Sequence, residues 1–462
     1  MWSTASAEDS APDVRILTKS TLVNREAEII LLTQEHKAMG HIIKVFFKGL
    51  LLLVACALVM LFLLFLVYLI PAESMEEHIV ASTDLLLEEG AYPVLHEHRP
   101  RNLDNYTDGL MLNIASFDGD KPLLDRVLYN YRYTATIDGE KVSSPYDFIY
   151  HALRYTELKY KVSSYMRYWH GYLLFLKPLL FFFSYPAIRT INTVAQSILA
   201  LLLVFLLWKK GPKQLILPFF LVWLILDPMV TGSCLQFSGN YYVFSVGCIL
   251  LLWKYEALQQ KRLFPYFFIL LGAATSTCDL LSYPLVTLGI PMVVFMAKKE
   301  PAGIREDLLQ IIGYSAAWCF GYAGLWACKW IISSVLTDAN SIQNAINTVL
   351  YRAGGTEKGH VISFYEILSR VLQYTFKDPL AYVVLAVAGC LFVYCLCSRR
   401  FQVHDVIIFS FLALFPFVWY FTIRNHTYVH FWFAWRSITV SFFSILSMVF
   451  LPLKKRERQN VE

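Results

Sequence analysis

Charged residues are scarce in this chain. They make up 16% of its 462 residues, whereas hydrophobic residues make up 57% and aromatic residues 16%. A soluble protein of this size would carry about 25% charged residues. Apolar runs of roughly 20 residues, the length that spans a bilayer, recur along most of the sequence. The shortage of charge therefore disfavours an ordinary soluble protein and predicts a polytopic membrane protein.

Cysteine is absent from the one long polar segment, residues 71–168. All nine cysteines fall within or at the ends of apolar runs, which argues against a disulfide-stapled outer domain and against a cysteine metal site. No internal repeat is evident, and this disfavours a secondary transporter. A cleavable signal peptide is not expected, because about 45 polar residues precede the first apolar run.

The positive charge is distributed as in a membrane protein. The net charge of +5 needs no nucleic-acid partner, because Lys and Arg cluster in short loops between apolar runs, as cytoplasmic loops do. Assigning those loops to the inside predicts an all-α polytopic membrane protein of about ten transmembrane helices with both termini cytoplasmic. The predicted spans lie at about 45–70, 188–208, 215–229, 237–253, 263–277, 284–297, 311–335, 380–397, 406–423 and 433–453.

The spans divide the chain into five parts. These are a cytoplasmic tail (1–44), the first transmembrane helix (45–70), an extracytoplasmic loop (71–168), a multi-span membrane domain (169–453) with an outer loop at 337–378, and a basic cytoplasmic tail (454–462). The 71–168 loop is too long for a simple connector. The spacing of its apolar residues predicts short membrane-lying helices at 75–87, 123–133 and 145–153, and no strand pattern is sustained.

One stretch of this loop, Asn102-Leu-Asp-Asn-Tyr-Thr-Asp-Gly109, contains the candidate catalytic acid, Asp108. The alternative interpretation is a turn, since Asp, Asn and Gly are turn formers. The predicted position of Asp108, just outside the membrane, favours a chemical role.

Placing an ionisable residue at membrane depth costs free energy, so such residues indicate function. Here they gather at the predicted outer side. Besides Asp108 they are His170, Asp227, Asp279, Arg352, Lys358, His360, Arg424, His426, His430 and Arg436. The Arg and His residues suit a phosphate or pyrophosphate. Simpler roles are also open: Asp227 would end a helix, Asp279 would cap one, His170 would anchor at the interface, and the cations at 424–436 would contact lipid headgroups.

This layout resembles the GT-C superfamily of membrane glycosyltransferases, whose donors are polyprenyl-phosphate sugars. The resemblance lies in the long first outer loop with an acid, the number of spans, and a late outer loop rich in Arg and His. In addition, Thr275-Ser-Thr-Cys-Asp-Leu-Leu-Ser-Tyr-Pro-Leu-Val-Thr-Leu-Gly289 is similar to a segment of uncharacterised bacterial GT-C-like proteins. Many members carry a close acidic pair after the first span. Here Asp104 and Asp108 are further downstream, so Asp104, Glu76 and Glu77 stay open as alternative bases.

The resemblance implies an inverting transfer at the extracytoplasmic face of a cell membrane, to a glycan, lipid or protein acceptor. Asp108 would take the acceptor proton, and Arg424, His426, His430 or Arg436 would stabilise the lipid phosphate as it leaves. Asp279 would orient the acceptor or hold a divalent cation, although no cofactor is certain. The aromatic residues Trp169, Tyr172, Trp432 and Trp435 would face sugar or isoprenoid, or else form an interfacial belt.

Three other functions compete with this one. A polymerase or ligase of lipid-linked glycans needs the outer Arg and His residues but not the acid of the first loop. A transporter or flippase needs polar residues at mid-membrane and paired broken helices, whereas the polar residues here gather on one side. An inactive scaffold with a glycosyltransferase-like shape is the third.

Overall fold

The structure is a computed structural model that describes residues 19–96 and 99–454. Tertiary contacts divide the chain at Leu51 into two units, of which the first consists, in its described part, of the beginning of one long helix. The second unit, from Leu52 onward, contains all the other helices and the strands. Most of the predicted basic tail, residues 455–462, lies outside the described residues.

Helices make up most of the described chain. Their bounds are α1 Lys19–Tyr68, α2 Glu76–Val80, α3 Thr83–Glu89, α4 Asn105–Ala115, α5 Leu123–Tyr129, α6 Tyr146–Ala152, α7 Leu173–Phe182, α8 Tyr185–Lys210, α9 Ile216–Leu226, α10 Pro228–Ser233, α11 Leu235–Gln260, α12 Phe264–Cys278, α13 Val286–Lys298, α14 Ile304–Leu336, α15 Ser341–Ala353, α16 Phe364–Thr375, α17 Pro379–Cys397, α18 Val403–Ala413, α19 Phe415–Thr422, α20 Arg424–Val429, α21 Phe431–Ala434 and α22 Thr439–Phe450. Short 3-10 turns lie at Glu73–Met75, Lys213–Leu215, Trp435–Ile438 and Leu451–Lys454.

Seven helical segments of the described residues are long and apolar enough to cross a membrane. They are Ile42–Tyr68, Tyr185–Lys210, Leu235–Gln260, Ile304–Leu336, Pro379–Cys397, Val403–Thr422 and Phe431–Leu453. The remaining three predicted spans correspond to shorter apolar helices, Lys213–Leu226, Phe264–Cys278 and Val286–Lys298. The mostly helical fold is confirmed, whereas the count of about ten spans stays a prediction.

The first polar segment departs from the all-α prediction. Strand β3 (Tyr131–Ile137) pairs antiparallel with β4 (Glu140–Lys141) and with β5 (Lys159–Ser164), and a smaller hairpin joins β1 (Val94–His96) to β2 (Arg99–Asn102). A third pair, β6 (Thr356–Glu357) and β7 (His360–Val361), lies in the 337–378 segment.

The error over 123–133 has a physical cause. Its apolar residues fit a helical period only as far as Tyr129, and Asn130 then adopts the left-handed conformation that ends a helix. The run Tyr131-Arg-Tyr-Thr-Ala-Thr-Ile137 is rich in β-branched and aromatic residues and pairs with a strand almost thirty residues later. A single short strand without its partner gave too weak a pattern to recognise. The predicted helix at 145–153 is confirmed as α6.

Small residues bring two long helices into close contact in the second unit. A Cβ atom added at Gly272 of α12 would lie 2.1 Å from the Trp318 carbonyl oxygen of α14, and one added at Gly321 would lie 2.0 Å from the Ile269 carbonyl oxygen. Glycine at both positions lets the two backbones touch, as is common where helices pack inside a membrane.

Candidate functional site

Seven of the predicted site residues fall into two groups that the chain brings together from distant positions. The first, which we call the acidic group, comprises Asp104, Asp108, Asp227 and Arg436. The second, the Arg–His group, comprises Arg352, His426 and His430. Tyr92, Trp432 and Phe433 connect the two through ring contacts: Tyr92 lies edge-on to Trp432 at 5.3 Å, Trp432 to Phe433 at 4.8 Å, and Phe433 stacks on His430 at 5.1 Å.

Asp104 begins helix α4. Its Oδ1 accepts a hydrogen bond from the backbone N–H of Thr107 at 3.0 Å, and its Oδ2 accepts one from the Thr107 hydroxyl at 2.8 Å. This is an N-cap, in which a side-chain oxygen accepts a bond that the helix itself cannot supply. The alternative interpretation of 102–109 as a turn is therefore wrong, because Asn105 to Gly109 form the first part of α4.

Asp108 lies one turn further along α4 and is completely buried. Its carboxylate accepts bonds from the backbone N–H groups of Leu235 (2.8 Å) and Gln236 (3.0 Å), from the Tyr185 hydroxyl, and from the Cys234 thiol (3.6 Å). Burial raises the pKa of Asp108, and the bonds from Tyr185 and Leu235 oppose that rise. Two of the donors are the first amides of α11. Asp108 thus caps a transmembrane-length helix from outside its own segment.

Burial raises the pKa of Asp104 as it does that of Asp108. Asp104 is 2% exposed, and burial raises its pKa to about 7, against the bonds from Thr107 and the positive charge of Arg436. In the part of the chain that the structure describes, its side chain accepts hydrogen bonds only from Thr107. A carboxyl group with a pKa near neutrality is suited to exchange protons at physiological pH.

Arg436 is fully buried. Its guanidinium lies over the Phe237 ring at 3.8 Å, and none of its three nitrogen atoms has a hydrogen-bond partner among the described residues. The charges of Asp104 and Asp227 act on it through space. An Arg carries five N–H donors, and burying its charge without hydrogen-bond acceptors costs roughly several kcal/mol of folding free energy. The side chain therefore lacks acceptors that a bound oxyanion would supply.

Asp227 belongs to the acidic group and connects it to the protein surface through His96. It ends α9 and caps α10, with Oδ1 accepting from the Val230 amide at 3.4 Å, so the predicted helix-end role is confirmed. Its Oδ2 lies 3.4 Å from Nε2 of His96, whose side chain is 39% exposed.

An ion-paired network supports the start of α4. Arg189 donates two bonds of 2.8 Å to the Glu89 carboxylate and one of 2.6 Å to the Asn105 side chain. The Arg189 guanidinium also lies over the Tyr185 ring, which in turn donates to Asp108. This network ties α3, α4 and α8 together. Sequence reasoning missed Glu89, Arg189 and Tyr185, and the only available signal was an Arg in the first turn of an apolar helix.

The Arg–His group has a defined protonation state. Nη1 of Arg352 donates to Nδ1 of His426 at 3.1 Å and to Nε2 of His430 at 2.9 Å. Because Arg has no acceptor atoms, both imidazole nitrogens must be unprotonated. Nε2 of His426 then donates to the Leu281 carbonyl at 2.6 Å. Burial and the Arg352 charge lower the pKa of both histidines, that of His430 to about 4. Of the four residues at 424–436 that were expected to act as cations, His426 and His430 are thus neutral and hold Arg352. Arg424 and Arg436 lie against other rings.

A cavity of about 160 Å³ adjoins the Arg–His group. Its lining is almost entirely apolar and includes Trp326, Trp330 and Trp419, with Arg352 and Arg167 among its walls. The three tryptophans and Arg167 were not among the predicted site residues. Arg167 lies in a turn, Trp326 and Trp330 lie one helical turn apart in α14, and Trp419 lies in α19, so no local pattern could group all four.

A second, larger cavity of about 370 Å³ lies between α7, α8 and α11. It is mostly apolar, with Phe175, Leu179 and Ile191 in its lining, and it includes Leu235, whose amide binds Asp108. Its size and lining suit a hydrocarbon chain.

Asp279 holds a loop rather than facing a cavity. Its carboxylate accepts from Asn240, from the amide and hydroxyl of Ser282, and from the Tyr322 hydroxyl, all at 2.8 Å. Burial raises its pKa. This loop places the Leu281 carbonyl against His426. The prediction that Asp279 caps the next helix is wrong, because its carboxylate bonds to Ser282 in the loop and α13 begins only at Val286. The side chain has little remaining capacity to accept further bonds.

The other predicted ligands do not join either group. His170 is buried between the Tyr172 hydroxyl (3.0 Å) and the Tyr165 carbonyl (2.7 Å), and burial lowers its pKa to about 3. His360 pairs with the surface carboxylate of Glu366 at 3.0 Å. Lys358 lies in the β6–β7 turn, and Arg424 lies against Gly355 and the Phe421 ring.

The described residues contain no group of three His, Cys, Asp or Glu side chains that could hold a metal ion. No protein-family model, no curated protein and no solved structure matches this chain.

Proposed function

We propose that this protein is an inverting glycosyltransferase that moves a sugar from a polyprenyl-phosphate donor to a glycan, lipid or protein acceptor. The single observation that carries the proposal is that Asp104, whose pKa burial raises to about 7, lies within electrostatic range of the buried Arg436, whose guanidinium has no hydrogen-bond partner among the described residues. A base poised near neutrality beside a cation without an acceptor is what transfer from a phosphate requires.

Asp104 is the base in this proposal, in place of Asp108. A base must bind the proton that it removes, and the Asp108 oxygens already accept bonds from two backbone amides and a tyrosine hydroxyl. Among the described residues, the Asp104 side chain accepts hydrogen bonds only from the neighbouring Thr107. Asp108 becomes a positioning residue, since it fixes α4 against the start of α11.

The reaction balances with these two residues. The acceptor hydroxyl oxygen attacks the anomeric carbon from the face opposite the phosphate, and its proton passes to the Asp104 carboxylate. The bond between the anomeric carbon and the phosphate oxygen breaks, and the lipid phosphate leaves with the electron pair. Arg436 stabilises the negative charge that grows on that oxygen. The direct displacement inverts the anomeric centre.

The lipid part of the donor is supported by the apolar cavity between α7, α8 and α11. Its volume of about 370 Å³ accommodates part of an isoprenoid chain. Leu235 belongs to that cavity and binds Asp108 through its amide, so a chain bound there would end close to the start of α4.

A polymerase or ligase of lipid-linked glycans is the second candidate, and the Arg–His group favours it. Arg352 lies in the wall of the tryptophan-lined cavity, and two neutral imidazoles hold it in place. That arrangement suits the pyrophosphate of a lipid-linked glycan and needs no acid from the first polar segment.

Two variants separate the candidates in membranes supplied with polyprenyl-phosphate sugar. Asp104→Asn keeps a good helix cap but removes the base, so we expect transfer to fall by about 100-fold or more at unchanged protein level. Arg352→Gln should leave this transfer largely intact. The opposite pattern, in which Arg352→Gln abolishes glycan transfer while Asp104→Asn retains it, would establish the ligase. Wild-type protein that consumes no lipid-linked sugar would refute both.

A further inference from the structure

Helix α15 (Ser341–Ala353) has three faces of different character. Ser341 and Ala345 are buried against the protein. The apolar side chains Ile342, Ile346, Val349 and Leu350 are all exposed, with Leu350 at 65%. Gln343, Asn344 and Asn347 form a separate exposed polar face. Successive helical residues are about 100° apart, so the apolar face lies between the buried face and the polar face.

The apolar face continues a surface that already has the character of a membrane span. Helix α14 is long and apolar enough to cross a membrane, and its last turns expose Ile331 (53%), Val335 (75%) and Leu336 (50%). Only four residues, 337–340, separate α14 from α15. Only this short linker, which contains the exposed Asp338, separates the exposed apolar residues of the candidate span from those of α15.

Charge is absent from this face. Arg352 is the only charged residue in α15, and it lies on the side that lines the tryptophan cavity. An exposed face of large apolar residues beside a polar face, with no charged residue in the apolar face, is typical of a helix that lies in the membrane interface. A second protein chain would also cover such a face, but the continuity with the exposed end of α14 favours lipid.

We propose that α15 lies in the lipid interface, with Ile342, Ile346 and Leu350 in the acyl region of the bilayer and Gln343 and Asn347 toward water. The proposal does not depend on which reaction the protein performs. Ala345, Thr348 and Val349 of α15 also line the tryptophan cavity. The helix therefore forms a wall between that cavity and the bilayer, and a lipid-linked ligand would reach Arg352 from the membrane rather than from water.

Photo-crosslinking of the full-length protein in vesicles of phosphatidylcholine and phosphatidylglycerol tests the placement. A benzophenone side chain is introduced at position 346 and, in a matched control one residue along, at position 347. We expect phospholipid adducts at 346 and several-fold fewer at 347. Positions 350 and 343 repeat the comparison, so the test does not depend on one variant folding.

Two outcomes would overturn the proposal. Equal lipid adducts on the apolar and polar positions would mean that α15 does not lie with one face in the bilayer. Adducts between two copies of the chain at 346 and 350, without lipid adducts, would mean that a second copy covers this face.

Discussion

Replacing Asp108 by Asn tests whether this residue holds the fold together or performs chemistry. The carboxylate accepts bonds from the amides of Leu235 and Gln236 and from the Tyr185 hydroxyl, and it is completely buried. An Asn side chain has the same shape but only one acceptor oxygen. Its NH2 group must face at least one of these donors, so a buried donor loses its acceptor.

The expected loss of stability follows from that count. A buried donor left without an acceptor costs about 1–3 kcal/mol. Loss of the negative charge at the start of α11 costs up to about 2 kcal/mol more in a buried geometry. We therefore expect Asp108→Asn to destabilise the protein by about 3 kcal/mol, and Asp108→Ala, which removes every acceptor, to destabilise it further.

The measurement is the apparent melting temperature of purified protein in lipid nanodiscs, followed by the fluorescence of its eleven tryptophans. Asp104→Asn is the matched control. It lies one turn away in the same segment, and Asn is as good an N-cap as Asp and carries no charge, so Asp104→Asn should not lower the melting temperature. If Asp108→Asn kept the wild-type melting temperature but lost all transfer, the assignment of Asp108 as a cap would be refuted and Asp108 would be the base.

Three further predictions concern other parts of the molecule. Because burial raises the pKa of Asp104 from 3.8 to about 7, transfer should rise as the pH increases through about 7. The folded state binds this proton more tightly than the unfolded state. The free energy of unfolding should therefore fall by about 4 kcal/mol between pH 3.8 and about 7. An Asp104→Asn protein whose transfer and stability still changed with pH in this way would contradict the assignment. Arg436→Met should abolish transfer without lowering the melting temperature, because the lost cation has no hydrogen-bond partner among the described residues; a clear drop in melting temperature would show that the cation supports the fold. Gly321→Ala should lower the stability of the protein by about 1–3 kcal/mol, since its Cβ would meet the Ile269 carbonyl. Gly313→Ala in the same helix, where a Cβ would have nothing within 4 Å, should be neutral or slightly stabilising. Equal melting temperatures of the two variants would argue against the close helix contact.

The sequence by itself determined the helical character of the protein and the positions of its apolar segments. Those properties depend on local composition, because a helix satisfies its own backbone groups and a run such as Leu50 to Leu69 needs no partner to be recognised. Local chemistry was also sufficient for the helix boundary at Asp227, where an acid next to the start of a helix is a capping signal.

Only the tertiary structure decided what each candidate residue does. Asp104 and Asp108 are four positions apart and chemically identical in sequence. They differ because Asp108 meets the start of α11, more than a hundred residues away, whereas Asp104 remains beside Arg436. Likewise, the spacing of His426 and His430 suggested cations, but contact with Arg352 makes both neutral. Strand β3 needed its distant partner β5 to be recognised. Charge state and strand pairing depend on neighbours that folding brings together, and a linear sequence does not contain those distances.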